Sequence, residues 1–252
     1  MPRYFIRLAY KGTNYAGFQV QDNANSIQAE VEKALKVFYK ANFVLTCSSR
    51  TDAGVHALCN YFHFDSDILF QAEQLEKSVY NLNAILPPDI VIKKIFLVPE
   101  NAHCRFDALS REYEYYIYQS KSPFLSGNAF YYPYTVDIGS LNEAAALIKQ
   151  YSDFTTFSKR NTQVKTFNCS IIESEWAIKD DCIVYHVKAN RFLRGMVRGL
   201  VGTILRVGTG RITIDGFKRI IECKDCSQAD FSAPSQGLFL VNVNYPASLS
   251  QY

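Results

Sequence analysis

The chain has 252 residues, 48% of them hydrophobic, and a formal net charge of +3. That is enough apolar material for a sizeable core, and the length suits one large domain or two of about 120 residues each. No apolar run reaches the ~20 residues that a membrane helix needs, which argues against a membrane partner. The seven cysteines form no repeating pattern, and Met1-Pro2-Arg3-Tyr4 runs straight into a strand-like pattern rather than a signal peptide. Free thiols in a reducing cytoplasm are the simplest account.

Arg3 to Lys11 alternates with aromatic and branched residues, as a strand does. Asn25 or Ser26 then caps a predicted helix whose apolar residues are Ile27, Val31, Ala34, Leu35 and Phe38. Phe43–Ser49 and Cys59–Phe64 read as strands either side of a turn. Phe70–Asn83 reads as a second helix, stopped by Pro87-Pro88, and Val91–Val98 as a strand. A tyrosine-rich strand, Arg111–Gln119, opens the second half. It is followed by a helix over about 141–150 and a predicted hairpin of Phe167–Ile178 with Cys182–Lys188. A long helix from Asn190 to about Val207, a helix over Asp215–Cys223 and a strand over Leu238–Tyr245 complete the pattern. The second half thus echoes the first. The expected fold is α+β: two related halves, residues 1–105 and 106–252, forming one extended, mainly antiparallel sheet flanked by helices. A cleft between such halves is a natural ligand site.

Charge is unevenly placed. No acidic residue lies between Asp181 and Asp215, where Lys188, Arg191, Arg194, Arg198, Arg206 and Arg211 fall. Lys159, Arg160 and Lys165 form a second basic run. A solvated helix face usually includes compensating carboxylates, so this pattern points to a polyanion such as nucleic acid. On the predicted long helix, Arg191, Arg194 and Arg198 share one stripe, which phosphates or a carboxylate would relieve of its self-repulsion.

Arg50-Thr51-Asp52-Ala53-Gly54-Val55-His56 is the sharpest chemical signal. It holds Asp52 on a tight turn at the lip of a sheet, where a carboxylate serves as nucleophile or base, or simply as a cap for the turn. Tyr113, Tyr115 and Ile117 share one strand face, and a tyrosine at the end of such a strand either fills core or stacks on a nucleobase. No metal is expected. Cys223 and Cys226 lack two further ligands nearby in sequence, and the odd separation of His56 and Cys59 sends them to opposite faces of a regular strand, away from a shared site with His63.

Together these motifs resemble, in order and over nearly the whole chain, the bacterial tRNA pseudouridine synthase A family. Tyr10-Lys11-Gly12-Thr13-Asn14-Tyr15-Ala16-Gly17-Phe18-Gln19 is similar to its opening motif and Arg50 through Ala57 to its catalytic motif. Ala102-His103-Cys104-Arg105-Phe106-Asp107-Ala108 with Arg111-Glu112-Tyr113 is similar to its central motif. Phe192 through Gly202 is similar to its arginine helix, and Gly237 through Leu240 with Tyr245-Pro246 to its last strand. Lys11, Ser49 and Gly199 stand where Asp, Gly and Asn are common in that family. The resemblance implies uridine-to-pseudouridine conversion in the anticodon arm of tRNA, around positions 38 to 40, by a homodimer without a cofactor. It implies that Asp52 is the catalytic aspartate, that Tyr113 stacks on the target base, that Arg198 pairs with the aspartate and that Arg50 helps hold the flipped nucleotide. Arg191, Arg194, Lys159 and Arg160 are the further candidates for RNA contact. The competing readings are an RNA-binding protein without chemistry, a hydrolase releasing free uracil and a metalloprotein.

Overall fold

In the computed structural model, residues 1–160 and 164–250 are described. The elements run β1 (Arg3–Tyr10), α1 (Ile27–Tyr39), β2 (Thr46–Cys47), β3 (His56–Asp65), α2 (Ala72–Ile85), β4 (Ile90–Val98) and β5 (Ser110–Tyr118). They continue with β6 (Phe130–Tyr131), α3 (Ile138–Leu147), β7 (Ile171–Lys179), β8 (Cys182–Ala189), α4 (Met196–Gly208), α5 (Ile214–Glu222) and β9 (Leu238–Asn244). The class is α+β, with mixed strand pairing: β1–β3, β1–β4, β5–β8 and β7–β8 are antiparallel and β5–β6 is parallel. Two compact units divide the chain, Met1–Leu109 with Leu240–Tyr252, and Ser110–Phe239.

In the first unit the strand order is β4-β1-β3-β9. Strand β1 buries both faces at Tyr4, Phe5 and Ile6, which are consecutive and apolar, before exposed Arg7 and buried Leu8. On one face Tyr4 stacks on Phe64 at 5.4 Å and meets Phe70, which in turn meets Tyr39 of α1. On the other, Phe5 packs with Phe96, Val98, Ala102 and Cys104, joined by Tyr61 and Tyr245. Helix α1 begins where Ser26 Oγ accepts the Ala29 amide at 3.2 Å and buries Ile27, Val31, Ala34 and Leu35. Helix α2 ends before Pro87, with Leu86 already extended.

In the second unit the order is β5-β8-β7. Tyr115, Tyr185 and Trp176 lie within its core, the last two stacked at 4.9 Å. Asn142 of α3 grips β7, donating to the Trp176 carbonyl and accepting its amide. The β7–β8 hairpin turns through Asp180, whose φ of 53° is left-handed.

Two elements differ from the sequence expectation. Only Thr46–Cys47 of the predicted 43–49 strand pairs as strand; the Ser49 carbonyl accepts from the Asn60 side chain instead of a ladder amide. The long helix starts at Met196, not after Asn190. Gly195 there has a left-handed φ of 74°, which a right-handed helix cannot continue through, and the Lys159 amide takes the Arg194 carbonyl. Asn190 accepts the Ser170 amide rather than capping a helix. Arg191 and Arg194 therefore precede the helix, and the three-arginine helical stripe does not form.

Candidate active site

In the first unit, Asp52 sits half-buried on the turn entering β3. Its carbonyl accepts the Val55 amide at 3.2 Å, and Gly54 takes a φ of 76° to close the turn. Three neighbours hold the turn rigid. Thr51 Oγ1 bonds the Tyr10 hydroxyl at 2.8 Å, and Asn60 Nδ2 donates both to that hydroxyl and to the Ser49 carbonyl. The Thr51 carbonyl accepts the Phe18 amide. Gly12 donates its amide to His56 Nδ1 at 3.1 Å, and a Cβ on Gly12 would lie 2.1 Å from the Val55 carbonyl oxygen. The segment 10–18 thus forms the bed on which the Asp52 turn lies, and only glycine allows that approach.

Beside the turn opens a cavity of about 210 Å³, lined by Gln19, Cys47, Arg50, His103, Arg105 and Phe106 among others. Burial pushes the Cys47 thiol up, and Arg50 and Arg105 pull against that rise. The Arg105 guanidinium lies 5.8 Å from the Phe106 ring centre, and that ring is 73% exposed. An exposed aromatic face beside two guanidinium groups suits a nucleotide, with stacking for the base and charge for the phosphate.

In the second unit, Tyr113 and Tyr115 lie on the same face of β5. Tyr113 is 8% exposed and meets Phe192 edge-on at 5.0 Å. The Tyr115 hydroxyl donates to the Pro234 carbonyl at 2.7 Å, and burial pushes its pKa up against the pull of Arg198. Arg198, on the first turn of α4, donates from Nε to the Ala233 carbonyl at 2.6 Å. The 230–234 segment is therefore a positioning element that sequence reasoning missed. It lies against the Gly199-Gly202-Thr203 face of α4: Thr203 Oγ1 accepts the Asp230 amide, Phe231 covers Gly199, and a Cβ on Gly202 would sit 2.3 Å from the Asp230 carbonyl oxygen. Small residues at that spacing in an otherwise apolar helix were the available signal.

The basic residues separate by their local partners. Arg194 is exposed, Arg160 reaches Asp225 at 4.0 Å, and the Lys159 stem lies along Gly195. Arg191 is half-buried, close enough to Cys169 to influence its thiol. Lys188 is neutralised by Glu112 at 3.0 Å and Glu173 at 3.3 Å, acids supplied from β5 and β7 that the linear charge pattern concealed. Among the described residues no helix is long and apolar enough to cross a membrane.

Residues 7–107 and 151–246 match the family model described as tRNA pseudouridine synthase. The chain is 44% identical over 254 residues to the tRNA pseudouridine synthase A of Parabacteroides distasonis, covering 99% of this chain and 98% of the relative. It is 45% identical over 250 residues to that of Bacteroides fragilis, covering 98% of each. It is 36% identical over 243 residues to that of Staphylococcus aureus, covering 96% of this chain and 90% of the relative. The chain belongs to the tRNA pseudouridine synthase family, isomerases that act on tRNA.

Proposed function

We propose that this protein isomerises uridine to pseudouridine in the anticodon arm of tRNA, around positions 38 to 40, with Asp52 as nucleophile or base and no cofactor. The observation that carries this reading is the Asp52 turn, a half-buried carboxylate held by the Tyr10–Thr51–Asn60 hydrogen bonds beside a cavity with two guanidinium groups. The reaction breaks the C1′–N1 bond, turns the detached uracil and joins C1′ to C5; N1 gains a proton and C5 loses one. The uracil must leave its stack first, which costs a few kcal/mol. Asp52 serves by attacking C1′, by attacking C6 or by removing the 2′ proton, and each route needs it anionic. Arg198 supplies a guanidinium that stays charged and binds a carboxylate through a two-point fork. Tyr113 stacks on the base, Arg50 holds the flipped nucleotide, and Arg191, Arg194, Lys159 and Arg160 contact the RNA backbone. The working form is a homodimer in the cytoplasm, with the division of labour following the halves 1–105 and 106–252.

The test is tritium release from tRNA labelled at C5 of uridine, wild type beside Asp52→Asn. Release by wild type alone, without free uracil, is the expected result. Free uracil would mean a hydrolase. Tight tRNA binding with no release would mean a binding protein.

A further inference from the structure

Three side chains that the proposed reaction does not use converge behind the cavity wall. His63 lies on β3, and His103 and Cys104 lie on the segment after β4, with one ligand atom from each within 4.8 Å of the others. Among the described residues this is the one such cluster of metal-ligating groups. His63 Nδ1 and Cys104 Sγ are hydrogen-bonded at 3.2 Å, near the ~3.5 Å that separates donors in a tetrahedral zinc site with bonds of about 2.0 and 2.3 Å, and an ion would replace this bond together with those of Nδ1 to the Cys104 amide and Sγ to the Thr46 carbonyl. The His63 and His103 rings meet at 4.7 Å. His63 and Cys104 are buried, whereas His103 is half-buried and lines the cavity, which gives an ion a path in and a solvent-facing fourth position.

We propose that His63, His103 and Cys104 form a zinc site, with the fourth position open to the cavity. Two imidazoles and a thiolate are a donor set for a borderline-soft ion. Arg3 donates to the Ala102 carbonyl beside the cluster, and its charge is taken up by Asp65 through bonds of 2.7 and 2.8 Å. Binding replaces the Cys104 S–H bond by a Zn–S bond and sends one proton to solvent. The cluster links β3 to the segment that carries Arg105 and Phe106, so the bound ion fixes that wall of the cavity. The site does not depend on which reaction the protein performs.

The test uses the full-length protein stripped of metal and titrated with Co²⁺ and then Zn²⁺. Wild type should bind one Co²⁺ per chain with a thiolate-to-cobalt charge-transfer band in the near ultraviolet, release about one proton, and lose the band as Zn²⁺ displaces Co²⁺. Cys104→Ser should lack the band. His103→Ala, a half-exposed position that spares the core, should weaken Co²⁺ binding by at least about ten-fold. The double variant Cys223→Ser with Cys226→Ser should keep the band. Absence of the band in wild type would overturn the proposal. So would its persistence in Cys104→Ser, or its loss in Cys47→Ser, which would assign the thiolate to the neighbouring cysteine.

Discussion

Residue by residue, the site depends on orientation more than on charge count. Arg198 donates from its Nε to the carbonyl of Ala233, which helps aim the guanidinium. Arg198→Lys keeps the charge but loses both the Nε bond and the planar fork. Turnover should fall by at least 100-fold, about 2.7 kcal/mol of transition-state stabilisation, with the melting temperature changed little. Single-turnover kinetics beside a thermal melt would check this, and near-wild-type turnover would rule out a need for the guanidinium fork. The sequence offers Arg50, Asp52, Tyr113 and Arg198 as candidates, because each falls in a motif of its own. It did not make their support legible. Asn60 and Tyr10 lie 50 residues apart and meet only because β1 pairs with β3, and the partners of Lys188 come from two other strands. The same is true of His63 and His103, whose proximity is a matter of packing rather than spacing.

At the scale of elements, local patterns predicted strands and capped helices well where they were strongly periodic. The Ser26 cap, β1, β5 and the β7–β8 hairpin follow directly from residue type and alternation. The failures were at boundaries set by tertiary contacts. The long helix begins only after Gly195, where the Lys159 amide takes the Arg194 carbonyl, a contact that periodicity does not encode. Two close approaches give tests. Gly12→Ala would place a methyl 2.1 Å from the Val55 carbonyl oxygen and push the Asp52 turn off its bed. It should destabilise the protein by about 1–3 kcal/mol and abolish measurable tritium release. Gly202→Ala would lift the 230–234 segment, since its Cβ would lie 2.3 Å from the Asp230 carbonyl oxygen. Activity there should drop through kcat, because Arg198 loses its orienting carbonyl, while tRNA affinity stays within a few-fold. An unchanged kcat in Gly202→Ala would mean that the segment plays no positioning role.

For the whole molecule, the sequence gives a net charge of only +3, so RNA binding must rest on local arrangement. If Arg191, Arg194, Lys159 and Arg160 each meet a phosphate, affinity for tRNA should fall on a double-logarithmic salt plot with a slope of roughly −3 to −4. Replacing Arg194 alone, an exposed side chain, should flatten that slope by about 1. A filter-binding series across salt concentrations measures both, and a slope near zero would exclude a phosphate-contacting face.

The first unit is not continuous along the chain. It holds Met1–Leu109 and then waits for Leu240–Tyr252, which brings the neighbour of β3 and places Tyr245 against Phe5 and Tyr61. The Tyr245 hydroxyl donates to the Cys104 carbonyl, and Leu109 donates its amide to Asn244. During synthesis, therefore, the amino-terminal half emerges from the ribosome with one strand edge unpaired, and it stays so while some 130 further residues are made, a matter of seconds at about 5–20 residues per second. A nascent chain stalled after Leu109 should be protease-sensitive and become resistant when a peptide spanning residues 238–250 is added. The unit that carries Asp52 is thus the first to be started on the ribosome and the last to receive all of its residues.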